Sequence, residues 1–400
     1  MSRATRTSTV VAALAAVALL TSACHSSLRS SSSTGANSPG PSATAVVTST
    51  TTTVPLGAAI VLTAQGRELD AYATTRPLAT QVVVPSPTAD RDGVDVSGQI
   101  CFDPTDPARF VAVDRTAVAD GQVGWGVFEL SGSALGKLSA KETARLVPTF
   151  QRSHDAPNPF GCGFLDDGRL LTTDVGNRAS GAADGQLVEW FPPFDQDTVA
   201  SCKVAVTLAA PEGVLVDGDR VYVAESRGRG VTSFVASNLP MSARQNGGCT
   251  GRDATGAGLA SGVVRDAWLI DAAAHGLSRP AAIAPAPNGN LYVSSPSNGV
   301  ISEVSAAGRF VRRVLVPRTG EVLGRTPFST GTPVGLAVLP DGSLYYADAG
   351  LVVRGSAVVP GLRTGTIRRI DFVRGAPQPP EVVDSGLQAP YGIGIWIPSS

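Results

Sequence analysis

Lysine is nearly absent: of 32 basic residues among 400, only Lys137, Lys141 and Lys203 are not arginine. Charged residues make up 16% of the chain and the net charge is -1, so no global field draws nucleic acid or an anionic membrane surface. Histidine occurs only at His25, His154 and His275, and aromatic residues make up 6%. There is no Gly-x-Ser-x-Gly elbow, no zinc-type cysteine pairing and no phosphate-binding glycine loop. Serine-elbow hydrolysis, structural zinc and P-loop chemistry therefore have no carrier. The apolar run from Val10 to Leu20 gives only about 16 Å of helix, too short for a hydrocarbon core of about 30 Å.

That run follows Arg3 and Arg6 and ends in Thr21-Ser22-Ala23-Cys24, which resembles the lipobox of bacterial lipoproteins. The resemblance implies a signal peptide over 1–23 and acylation of the Cys24 thiol, with the lipid as a membrane anchor. An ordinary secretory signal with Cys24 unmodified is the competing account. Residues 24–55 are Ser, Thr, Ala, Gly and Pro with little else, too poor in apolar side chains to repay ordering. They are expected to tether a folded domain over 56–400 outside the cytoplasm.

With 44 Gly, 29 Pro and 43% apolar residues, that domain suits many strands and tight turns. One pattern recurs from residue 90 onward: Pro-x-Gly, an apolar strand, an Asp-Gly or Asn-Gly turn, and a second strand ending in a polar residue. Its copies start at Pro159, Pro211, Pro280, Pro333 and Pro390, spaced by 52, 69, 53 and 57 residues. A degenerate copy covers Gly98 to Asp114. This is the period of propeller blades, whose faces are buried only in a closed ring. A two-sheet sandwich would not need such a period. Ala389 to Ile397 opens a sixth unit and then stops, while segments 58–63, 67–73 and 80–84 lack an opening strand. The expected fold is all-β: a β-propeller, six blades, the ring closed by strands from both termini.

Residues 158–397 resemble NHL-repeat and senescence-marker/gluconolactonase-like propellers, through Pro-x-Gly, Pro340-Asp-Gly-Ser-Leu-Tyr345 and Ala347-Asp348. Residues 332–371, closing on Gly365 to Asp371, are also similar to sugar- and sorbosone-dehydrogenase propellers. The first likeness implies a divalent cation, typically calcium, on the axis, held by oxygen ligands at the innermost strands. The corresponding mouth positions here are Phe160, Glu212, Ala281, Val334 and Tyr391. Of these only Glu212 is a candidate metal ligand, with Asn158, one residue before Pro159, as a possible second, whereas calcium takes six to eight oxygens. The quinone-contacting His and Arg set of the dehydrogenases has no counterpart.

A second set, Asp114, Asp174, Glu225 and Asp348, ends the second strand of its units, with Ser295 in the unit that starts at Pro280. This acidic ring is either a site for a cation or basic ligand or a set of turn-bonded carboxylates. Asn177, after Gly176, adds an oxygen near Asp174. His154 and Asp155 are a candidate base with its orienting carboxylate, or simply solvated. The four tryptophans are expected to pack between blades.

After Cys24, four cysteines remain, and three pairings are open. Cys101 and Cys162 fall at similar points of neighbouring innermost strands. Cys202 and Cys249 bracket the long unit with its insertion at 238–262. Those two pairs are expected. Two functions remain in view: a membrane-anchored binder of a protein, glycan or small molecule, and a calcium-dependent lactonase-like hydrolase, with a sugar dehydrogenase as its variant.

Overall fold

The computed structural model describes residues 59–398, apart from 67, 75–79, 86–93, 116–122, 133, 148–157, 177–182, 229, 244–248, 253–257, 270–271, 325–327 and 356. The expected signal peptide, Cys24 and the whole tether, with His154, Asp155 and Asn177, lie outside the described residues. No helix among the described residues is long and apolar enough to cross a membrane.

Six four-stranded antiparallel sheets form the blades of a propeller. The chain begins with β1 (Ile60–Gln65), β2 (Glu68–Ala73) and β3 (Thr80–Val84). Blade two is β4 (Val96–Asp103), β5 (Asp106–Asp114), β6 (Gly124–Ser131) and β7 (Ser139–Leu146). Blade three is β8 (Pro159–Phe164), β9 (Leu170–Asp174), β10 (Gly185–Trp190) and β11 (Ser201–Leu208). Blade four is β12 (Pro211–Asp217), β13 (Arg220–Glu225), β14 (Gly230–Val235) and β15 (Arg265–Leu269). Blade five is β16 (Ile283–Pro285), β17 (Leu291–Ser295), β18 (Val300–Val304) and β19 (Phe310–Leu315).

Blade six holds β20 (Pro333–Val338) and β21 (Leu344–Asp348), then a small hairpin of β22 (Leu351–Arg354) and β23 (Ala357–Pro360). It continues with β24 (Gly365–Ile370), a second hairpin of β25 (Phe372–Val373) and β26 (Ala376–Pro377), and β27 (Glu381–Leu387). The chain then returns to blade one as β28 (Pro390–Trp396), which pairs with β1 from Ile60↔Trp396 to Gln65↔Pro390. Strands from both ends of the domain thus close the ring, and no innermost strand is left without its sheet.

Burial follows position in the blade. The second strands β9, β17 and β21 are buried throughout, because neighbouring blades cover both of their faces. The outermost strands β7 and β19 alternate between exposed and partly covered residues. The Asp-Gly turns tighten as expected: Gly168 and Gly342 take φ of 84° and 86°, and their N–H groups bond Leu165 O and Leu339 O. Trp125, Trp190 and Trp396 are buried, and the Trp396 indole reaches Pro107 O in blade two at 3.0 Å.

Both expected disulfides are present. Cys101–Cys162 joins the innermost strands of blades two and three, with Cα atoms 5.9 Å apart. Cys202–Cys249 ties the blade-four insertion to β11, with Cα atoms 4.4 Å apart. The insertion also bonds that outer edge through Lys203 N to Cys249 O, Val206 N to Gly258 O and Ala260 N to Val204 O. An otherwise open strand edge is covered.

Candidate functional site

The Pro-x-Gly motif is explained by contact between blades. A β-carbon on Gly161 would collide with Glu212 O, and one on Gly392 with Gly98 O. On Gly213 and Gly335 it would stand 2.5 Å from Ala281 O and Tyr391 O. The middle residue of each motif therefore leans its carbonyl on the glycine of the preceding blade. This stacking sets Tyr391, Gly98, Phe160, Glu212, Ala281 and Val334 side by side around the mouth, one from each blade. Hydroxyls brace the same contacts: Thr173 Oγ1 donates to Glu212 O at 2.7 Å and accepts from Gly161 N at 2.8 Å.

The rim is mainly apolar. Ala281 and Val334 are buried, and Phe160 and Tyr391 are half-buried. The two aromatic rings lie edge to face, 6.4 Å between centroids, although a whole blade separates their strands. They meet because the intervening blade contributes Gly98. Glu212 is the one carboxylate of this rim and is only 9% exposed.

Beneath the rim, Gln99 occupies the position that is glycine or alanine in the other blades. Its amide reaches past blade three to blade four: Nε2 donates to Val214 O at 2.8 Å, and Oε1 accepts from Val214 N at 3.1 Å. The same oxygen accepts from Cys162 N at 3.3 Å. These are inner-edge backbone groups facing the channel, so Gln99 forms a floor one residue below the rim. Sequence reasoning missed it, although its alignment with the motif glycine was the available signal.

The second-strand ends form a ring on the mouth side, and Gln65 of β1 is its sixth member, also missed. Asp114 accepts from Asp95 N at 3.1 Å and pairs with Arg145. Asp174 accepts from Asn158 N at 3.1 Å and Gly176 N at 3.0 Å, which places Asn158 beside it through backbone. Glu225 accepts from Ala209 N at 2.6 Å and Arg265 at 2.8 Å. Asp348 accepts from Thr332 N at 2.7 Å, Gly350 N at 3.0 Å and Arg368 at 3.1 Å. Ser295 Oγ accepts from Arg279 N at 3.1 Å. The ring staples the loops that lead into the innermost strands.

In blade one, Gln65 donates to Asp70, which is buried on β2. Burial pushes the Asp70 carboxyl up to about 6; the Gln65 bond opposes this, while Glu68 and Asp384 push the same way.

An axial calcium does not fit this donor set. The rim offers one carboxylate, and the Gln99 oxygen beneath it already accepts two backbone N–H bonds. Among the described residues, no three His, Cys, Asp or Glu side chains converge to hold a metal ion.

No family model and no curated protein matches the chain. Solved structures do. A chain of a nidogen/laminin complex is similar with a TM-score of 0.51 at 13% identity, over 86% of this chain and 100% of that one. A luciferin-regenerating enzyme is similar with a TM-score of 0.50 at 14% identity, over 84% and 91%. A gluconolactonase from Xanthomonas campestris aligns at 15% identity over 70% and 75%, with a TM-score of 0.41. The shared feature is the fold. The chain is a six-bladed β-propeller.

Proposed function

We propose that this protein is a membrane-anchored extracytoplasmic binding module that receives an uncharged ligand or an apolar partner surface at its mouth. The carrying observation is the rim of Phe160, Tyr391, Val334 and Ala281 over the Gln99 floor: a mainly apolar cup with a single carboxylate. Likeness to a propeller from a binding complex accords with that use, but likeness to an enzyme stands beside it, and fold alone carries neither activity. The Cys24 anchor comes from the sequence. β1 begins at the end of blade one farthest from the mouth, where Ile60 pairs with Trp396.

Calcium titration of the protein, followed by lactone and aryl-ester turnover, tests this against a hydrolase. Calcium should bind at the axis no tighter than about millimolar, the weak end of extracellular sites. Glu212→Gln should leave that affinity unchanged, and turnover should stay at the uncatalysed rate. Micromolar affinity lost in Glu212→Gln, together with metal-dependent lactone turnover, would replace the binding function with hydrolysis.

A further inference from the structure

We infer that a groove between blades two and three, on the face opposite the mouth, docks a basic polypeptide segment. The groove has a volume of about 580 Å³, within the range of pockets that enclose a ligand. Val127 and the exposed Pro192 and Pro193 form walls, and Phe194 is buried at its base. Asp106, Glu129 and Asp195 stand around it. This is a second surface, independent of the cup, and its test does not depend on the mouth's ligand.

The charges define the occupant. Arg109, the cation lining the groove, is committed to Asp103 and Asp106, each at 3.0 Å. The carboxylates of Glu129 and Asp195 are exposed and have no hydrogen-bond or ion-pair partner among the described residues. Lys141 is the cross-strand neighbour of Glu129, yet no ion pair joins them. The surplus is therefore negative, beside apolar and proline surface. It extends beyond the groove, because turns of blades three and four on the same face expose Asp166, Asp197, Asp217 and Asp219, while Arg220 beside them pairs with Asp266. A compact cation would use only the groove. A chain with arginine or lysine side chains spaced by apolar or proline residues would place apolar groups on the walls and cations along the acidic track.

The probe is a fluorescent nonapeptide with four arginines interleaved with leucine and proline, titrated with the full chain in detergent micelles. The double variant Glu129→Lys, Asp195→Lys leaves both Arg109 ion pairs in place and should weaken binding at least about tenfold. Arg363→Glu, on the mouth side, should bind like the wild type. Raising salt from about 0.05 to 0.5 M should weaken the wild-type complex strongly and the double variant little. Equal affinities for wild type and double variant would overturn the proposal. So would equal binding of a peptide with glutamate in place of arginine. Spermidine binding as tightly as the peptide would make the groove a small-polycation site and overturn the polypeptide assignment.

Discussion

The side chain of Gln99 in blade two hydrogen-bonds both backbone groups of Val214 in blade four, passing over blade three. One amide thus laces three innermost strands across the channel. Removing it leaves Val214 N and O and Cys162 N facing a channel with no protein partner. Water can enter a channel, so the cost is below that of fully orphaned groups. Gln99→Ala should destabilise by about 1–3 kcal/mol, read from the urea midpoint. An unchanged midpoint would mean that water replaces the amide without loss.

Ring closure makes a second prediction. Deleting residues 390–400 removes β28, leaves β1 as a bare innermost edge and takes away the Trp396 bond to Pro107 O. The truncated protein should aggregate, or melt far below the intact one. A melting curve superimposable on that of the whole chain would contradict the termini sharing a blade.

The motif made this much of the fold legible. Pro-x-Gly and the Asp-Gly turns recur because the blades repeat one inter-blade contact and one hairpin, so blade number and ring closure could be read. Gln99 was missed because an extra residue in β4 displaces its alignment with the motif glycine: the pairing with β5 shifts between Ser97 and Cys101, and Val96 stands where the motif has proline. Gln65 was hidden because blade one is split between the chain ends and its second strand closes on an amide, where four other blades close on an acid and blade five on Ser295. The hairpins of blade six are local additions outside the repeat, and nothing in its pattern marks them.

The insertion of blade four depends on Cys202–Cys249. Closing 47 residues corresponds to about 4 kcal/mol in the chain-entropy account, an upper figure here because backbone bonds also hold the insertion to β11. Cys249→Ser should lower stability by less than that and expose the insertion to limited proteolysis while the blades stay intact. Wild-type resistance in the variant would show the bridge to be dispensable.

Anchoring rests on Thr21 to Cys24 after the apolar run. Cys24→Ala should shift the protein from the detergent phase to the aqueous phase, or stall it as a precursor. Unchanged partitioning would remove the lipid from the account.

Asp70 supplies a pH dependence whose sign can be worked out. Its carboxyl ionises near 3.8 when exposed, but burial and then the Glu68 and Asp384 charges hold the proton to about 6 in the fold, against the Gln65 bond. Between these values the folded state binds more protons than the unfolded state. The resulting stability is fully present below 3.8 and is lost as pH rises through about 6. The difference caps at about 3 kcal/mol, and relaxation around the ionised group reduces it. Asp70→Asn is neutral at every pH and keeps an oxygen for the Gln65 amide. It should raise stability by about 1–2 kcal/mol at pH 8 and change little at pH 3.5, measured by urea unfolding at both. An equal effect at the two pH values would mean that packing, not ionisation, governs this site.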